Sequence, residues 1–263
     1  MKENLLRSLL NEKRPTVSTR IRNIWPTEAE AAAQSGSFDY LEFTAEYAPY
    51  DLLQLENLVR ACELHGIGSM IKLDLQNRFY VAQKAMAVGF QALLFADHKT
   101  PDEVAESIRL TMPDTPEDGG RFGYPSNRWI GYQPFRPQME YADMVRKTVR
   151  AFMVEKKEML DNLEEICSIP GVDMVQFGPS DYSMSMGWNR AEHREELKEA
   201  EQKMIRIALD HGVAPRCEIN TAEQVAYYKE LGVRHFSVGD DFRVLASYWK
   251  DTCGTVRDLA RNA

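Results

Sequence analysis

Glu155 and Asp181 are the residues whose type and setting point most directly to chemistry. Each follows an apolar, strand-like run, near 149–154 and 173–177. Carboxylates at the ends of adjacent strands can converge on one ion. Two protein oxygens, completed by water and substrate oxygens, suit Mg²⁺ or Mn²⁺. No histidine stands beside them, which argues against zinc. Asp181 closes the turn Gly178-Pro-Ser-Asp181, which opens a short helix. Backbone amides around Ser180 and Asp181 could receive a substrate carboxylate at that helix start. Other polar residues gather at the remaining strand ends: Thr44, Glu46 and Tyr47; Lys72 and Asp74; Asp97 and His98; Glu218; Asp240 and Asp241. Carboxylates crowded together raise one another's pKa, and a bound cation is the simplest relief.

A repeating punctuation places these residues on one surface. Glycine closes a helical stretch and an apolar run follows at Gly36, Gly66, Gly89, Gly171, Gly212 and Gly232. Glycine suits that position because it takes a left-handed conformation without steric cost. Between them run helical stripes such as Leu52, Leu55, Val59 and Cys62, or Phe79, Ala82 and Met86. Thr27 to Glu30, Thr100 to Glu103 and Asn220 to Glu223 each read as a capping box. Strands are expected near 17–21, 38–44, 68–73, 91–96, 149–154, 173–177, 214–219 and 234–239. Alternation with helices means parallel pairing, and eight such units predict a (β/α)₈ TIM barrel as a single domain over 1–263. An open doubly wound sheet is the competing architecture, but no G-x-G-x-x-G follows the first strand. In a barrel, all the polar strand ends lie at the C-terminal mouth. The Gly-, Pro- and aromatic-rich stretch 112–137 interrupts the pattern and reads as a lid or subunit contact.

Composition limits the partners. Lys plus Arg is 32 against 40 Asp plus Glu, for a net charge of −8. Nucleic acids and anionic membranes need clustered positive charge, so neither is an expected partner. Leu5, Leu6, Leu9 and Leu10 mark a short amphipathic N-terminal helix rather than a signal peptide, and the chain reads as cytoplasmic. Of the four scattered cysteines, three sit in apolar segments as expected buried thiols.

The stretch from Glu155 through Pro170-Gly171-Val172-Asp173 to Gly178-Pro-Ser-Asp181 resembles the metal-binding core of the HpcH/HpaI family. That family comprises metal-dependent class II pyruvate aldolases related to citrate-lyase β-type barrels. Phe38 to Pro49 resembles its second-strand motif and Gly232 to Asp241 its last strand, so nearly the whole chain is covered. The resemblance implies that Glu155 and Asp181 ligate the metal and that a 2-oxo acid chelates it through carboxylate and carbonyl. Gly178 and the amides at Ser180 would hold that substrate, and the metal would stabilise the enolate of C–C cleavage. It implies the partners as well: a small 2-oxo acid, an aldehyde and further copies of the chain. The expected homo-oligomer is a hexamer or trimer of dimers, with a C-terminal helix over 241–262 packing on a neighbour.

The departures from the family pattern concern proton transfer. Tyr47 stands where the family carries a catalytic histidine, and Met86 where an acid would orient it. Lys72 replaces a carbonyl-polarising arginine, keeping the charge without the planar fork. Met153 replaces a substrate-contacting glutamine. Lys72, Tyr47, Glu46 and Asp74 are therefore the catalytic candidates, with Asp97-His98 a further acid/base pair and Lys72 also a substrate contact. His98 otherwise reads as an exposed loop residue, and Tyr47 as a buried residue packing the mouth. Three readings stay open: a metal-dependent carbon–carbon lyase, a Schiff-base aldolase through Lys72, and a barrel that binds metal or a 2-oxo acid without turnover.

Overall fold

Eight parallel strands pair in chain order and close on themselves. They are β1 (Thr16–Ile21), β2 (Tyr40–Thr44), β3 (Gly68–Leu73), β4 (Ala92–Phe95), β5 (Val149–Val154), β6 (Met174–Phe177), β7 (Ala214–Ile219) and β8 (His235–Asp240). This computed structural model describes residues 3–125, 128–132 and 136–262. Every strand lies within two residues of its expected place, and the fold is the (β/α)₈ barrel. Helix α1 (Leu5–Asn11) precedes the barrel. Between strands run α2 (Pro26–Gln34), α3 (Leu52–Leu64), α4 (Arg78–Val88), α5 (Pro101–Thr111) and α6 (Gln138–Arg146). They continue as α7 (Lys157–Asp161), α8 (Leu163–Cys167), α9 (Pro179–Ser185), α10 (Arg194–Asp210) and α11 (Gln224–Glu230). After β8 come α12 (Asp241–Tyr248), a π-helical turn at 249–253, and α13 (Gly254–Arg261). No helix among the described residues is long and apolar enough to cross a membrane.

The six helix-closing glycines all take positive φ. Helix starts follow the sequence less closely. Thr100 and Glu103 form the full capping box. Helix α2 instead begins at Pro26, ahead of Thr27, because proline's fixed φ already suits the first helical position. Helix α11 begins after Glu223, where the Gln224 side chain accepts from the Asn220 and Thr221 amides at 2.7 and 3.1 Å. Phe79 is exposed; α4 buries Val81, Ala82, Ala85 and Met86.

Outward-facing Leu41, Phe43, Ile71, Leu93, Phe152 and Val175 join the helices in the main core. The barrel interior divides in two. On β3 to β5 it is apolar, with Met70, Leu94, Ala151 and Met153, and Leu6 of α1 packs against the same cluster. On β1, β2, β6 and β7 it carries Ser18, Glu42, Gln176 and Arg216, all buried. Arg216 is 0 % exposed, ion-paired to Glu42 at 2.6 Å and bonded to Ser18 Oγ at 2.9 Å. A buried guanidinium is tolerable only with such partners.

The described residues of the 112–137 stretch pack away from the mouth cavity. Within it, Phe122 stacks on Tyr141 of α6, Trp129 meets the same ring edge-on, and Arg128 pairs with Glu63 of α3. None of its described residues lines the mouth cavity; residues 126–127 and 133–135 lie outside the described residues. Cys62, Cys167 and Cys217 are buried free thiols, and Cys253 is exposed.

Two histidines are core residues. His235 bonds Thr16 Oγ1 at 3.0 Å at the closed end of the barrel. His98 is 0 % exposed, so neither the exposed-loop nor the acid/base reading holds. Burial, helped by Arg78, pushes His98 down to about 3, and burial with Arg216 and Arg234 pushes His235 down to about 4. The unfolded chain therefore binds more protons below pH 6.5, and stability falls as pH drops through that range. At pH 5 each histidine should cost about 2 kcal/mol relative to neutral pH. Denaturant unfolding of His98→Gln should show the loss between pH 7.5 and 5 reduced by about that amount; an unchanged loss would remove His98 from the account.

Candidate active site

The C-terminal ends of β2, β3, β5 and β6 surround a cavity of about 330 Å³ lined by Glu46, Lys72, Met153, Gly178, Ser180 and Asp181, among others. Glu155 does not line it but lies directly behind Gly178 and Lys72 of its wall. Its backbone follows β5 directly, and its side chain is 0 % exposed. Oε1 accepts the Asp97 amide at 2.8 Å. Among the described residues Oε2 accepts no hydrogen bond, and Lys72 Nζ stands 3.8 Å from it. Burial raises the Glu155 pKa to about 6, against the lowering pull of Lys72 and the Asp97 amide. Gly178 keeps the space open. A Cβ there would fall 2.9 Å from Glu155 Cβ, 3.0 Å from Glu155 Oε2 and 3.0 Å from Met153 Cε.

Among the described residues, carboxylate oxygens of Glu46, Asp97 and Glu155 approach within 4.8 Å of one another. Glu46 and Asp97 thus crowd Glu155 more closely than the sequence indicated. Asp181 is half-buried and lines the same cavity from the first turn of α9, outside that tight group. Ser180 and Asp181 occupy the second and third positions of α9, where amides have no acceptor within a helix. Arg190 donates to Ser180 Oγ at 3.1 Å.

Two lysines face the cluster, Lys156 at Asp97 and Lys72 at Glu46; Lys72 is the more deeply buried. It pairs with Glu46 and faces Glu155. Burial alone would lower its pKa, but Glu155, Glu46 and Glu42 outweigh burial and hold it well above the usual lysine value. Glu46 is raised by burial and lowered by Lys72. Tyr47 is 75 % exposed, so it does not pack the mouth as a buried aromatic. Partial desolvation, with Glu46 and Asp181 nearby, pushes its hydroxyl up to about 12, which leaves it a donor rather than a base. Asp74 is not brought to the site; its Oδ1 accepts the Asn77 amide at 2.6 Å ahead of α4, and it does not line the cavity. Met86 is buried in α4.

The opposite wall was largely missed in the sequence. Glu218 Oε1 accepts from Arg20 at 2.6 Å and Gln176 at 2.8 Å, and Gln176 bonds Arg216 in turn. Arg20 also faces Asp240 at 3.6 Å. The available signal was the two-residue spacing of Glu42 with Thr44 and of Arg216 with Glu218, which puts each pair on the inner face of one strand.

The model of the HpcH/HpaI aldolase/citrate lyase family matches residues 32–241. The chain belongs to that family. Its members are carbon–carbon lyases of the aldolase and citrate lyase type, acting on small molecules. The 4-hydroxy-2-oxo-heptane-1,7-dioate aldolase of Escherichia coli is 27 % identical over 247 residues, covering 93 % of this chain and 91 % of that protein. The hydroxypyruvate/pyruvate aldolase of Paraburkholderia phytofirmans is 24 % identical over 242 residues, covering 90 % and 92 %. The crystal structure of an HpcH/HpaI aldolase from Desulfitobacterium hafniense superimposes with a TM-score of 0.87 at 21 % identity, covering 96 % of each chain.

Gly178 offers a direct test of the crowding at Glu155. Gly178→Ala should cost about 1–3 kcal/mol by overpacking, measured by denaturant unfolding, with Glu155 or Met153 displaced in the variant's crystal structure. An unaltered stability with both side chains unmoved would contradict the close approach.

Proposed function

We propose that this chain is a divalent-metal-dependent aldolase that cleaves a 4-hydroxy-2-oxo acid to pyruvate, or a pyruvate-like 2-oxo acid, and an aldehyde. The observation that carries this reading is Glu155 Oε2, a buried carboxylate oxygen without a hydrogen bond, amid further acids at a cavity. The donors fit a hard cation: they are all carboxylates, and Gly178 leaves room beside Oε2. Glu155 and Asp181 would hold Mg²⁺ or Mn²⁺. Such an ion supplies Lewis-acid stabilisation of the negative charge that develops on the 2-oxo acid.

The chain's own residues do the rest. Gly178 leaves space for the 2-oxo acid, and amides at Ser180 and Asp181 receive its carboxylate. Lys72, kept charged by its acids, faces the developing oxyanion. Glu46 takes the proton from the C4 hydroxyl as the C3–C4 bond breaks, the bond's electrons pass into the pyruvate enolate, and the same carboxyl returns the proton to C3. Tyr47 beside it donates to the departing carbonyl oxygen. A Schiff base through Lys72 requires a neutral amine, which its paired, charged state opposes.

Exchange of the pyruvate methyl protons in D₂O tests the reading. With Mg²⁺ or Mn²⁺ added, exchange should be rapid, and Glu155→Gln and Asp181→Asn should each slow it by at least about tenfold. Borohydride with pyruvate should leave Lys72 unmodified. Absent exchange would favour a binding-only barrel, and an adduct at Lys72 would favour the Schiff base.

The same reading includes a homo-oligomer, a hexamer or trimer of dimers. Helices α12 and α13 and the π-helical turn between them bury none of their residues and expose Phe242, Leu245, Trp249, Val256 and Leu259. Beside them, Val17, Val225, Val233, Phe236 and Val238 line an apolar cavity of about 590 Å³ on the outer barrel wall. A neighbour's C-terminal helix would cover such a surface. Sedimentation of Trp249→Glu/Leu259→Glu should show smaller species than the parent; an unchanged assembly would place the interface elsewhere.

A further inference from the structure

Arg78, like the still more buried Arg150, is a guanidinium whose hydrogen bonds go to neutral acceptors. It is 7 % exposed and, among the described residues, has no carboxylate within 4.0 Å. Its two terminal nitrogens are spent on neutral acceptors. Nη2 donates to the Ala96 carbonyl at 2.6 Å, and Nη1 to His98 Nε2 at 2.8 Å. His98 Nε2 is also 2.7 Å from Ser107 Oγ, which ties the ring to α5. Asp97, Glu103, Asp74 and Glu155 act on the charge only from a distance, and burying it without a carboxylate in contact is costly, so the choice of acceptors calls for an explanation.

The explanation lies in which peptide is held. The Ala96 carbonyl and the Asp97 amide belong to one peptide unit. Its oxygen accepts from Arg78, and its N–H donates to Glu155 Oε1 at 2.8 Å. The unit is planar and rigid, so fixing the oxygen fixes the direction of the N–H. Asp97 has φ +62, a conformation a non-glycine residue adopts at some cost and keeps only under external restraint. The Asp97 side chain adds a second restraint through Lys156 Nζ at 2.8 Å. A charged donor on the carbonyl also polarises the peptide and strengthens its N–H as a donor.

We propose that Arg78 is a positioning residue: it clamps the Ala96–Asp97 peptide so that Glu155 Oε1 is held by the Asp97 amide and Oε2 is directed at the metal. The inference rests on the metal-site reading above. Sign separates it from plain electrostatics. Removing a positive charge near a cation site should tighten metal binding, whereas loss of the clamp should weaken it.

The test is Mn²⁺ binding to the full chain without substrate, followed by the electron paramagnetic resonance of free Mn²⁺. Arg78→Met should weaken binding by about tenfold or more, within the range seen when groups that orient a ligand are removed. Arg78→Lys, which keeps the charge but cannot reach both acceptors as a fork, should fall between wild type and Arg78→Met. It decides the matter alone if Arg78→Met does not fold. In a Glu155→Asp background, whose shorter carboxylate no longer meets the Asp97 amide, the Arg78 effect should shrink to within about twofold. Binding by a folded Arg78 variant as tight as wild type or tighter would overturn the clamp, as would an equal loss in the Glu155→Asp background. Failure of the wild type itself to bind Mn²⁺ would overturn the metal-site reading and the clamp together.

Discussion

A carboxylate removed from water without a full set of partners is the constraint around which this barrel mouth is arranged. Glu155 is wholly buried, has one oxygen satisfied by the Asp97 amide and leaves the other unbonded. Its neighbours are organised around that state. Gly178 withholds a Cβ that would collide with it. Lys72 supplies partial compensation at 3.8 Å while pairing with Glu46. Lys156 pairs with Asp97, so two ammoniums face Glu46, Asp97, Glu155 and the nearby Asp181, and the remaining negative charge favours a divalent cation.

The interior of the barrel reflects a division of labour. Strands β3 to β5 fill it with Met70, Leu94 and Ala151, a packed support beneath the acid cluster. The facing strands carry ion pairs, Arg216 with Glu42 and Arg20 with Glu218. Each buried guanidinium there meets a carboxylate, so the wall is polar yet nearly neutral. Arg78, like Arg150 on β5, bonds neutral acceptors instead, and the partners of Arg78 lead through one peptide unit to Glu155. Burying that charge makes sense as positioning rather than as neutralisation.

Much of this was legible in the sequence because barrel strands and their glycine-closed helices repeat with fixed periods. All eight strands fall near their expected positions; of the acids expected at the mouth, Glu46 and Asp181 line the cavity, and Glu155 lies close to Glu46 behind Gly178. What escaped depends on side-chain direction and tertiary partners. Asp74 stands close to Lys72 in sequence but turns to accept the Asn77 amide in the loop ahead of α4. His98 looks like a loop residue beside Asp97, yet Arg78 and Ser107 draw it into the core. Tyr47 lies in an apolar-looking segment and still projects into solvent. Arg20, Glu42, Gln176 and Arg216 sit within strands, where polar residues read as solvent-facing unless the inner face of the barrel is considered.

The central claim is that Glu155 Oε2 is a metal ligand. Anomalous diffraction from crystals soaked in Mn²⁺ tests it most directly. The account predicts one strong peak per chain, roughly 2 Å from Glu155 Oε2 and from an Asp181 carboxylate oxygen, and no such peak in Glu155→Gln. A peak away from Glu155, or one that persists undiminished in Glu155→Gln, would contradict it.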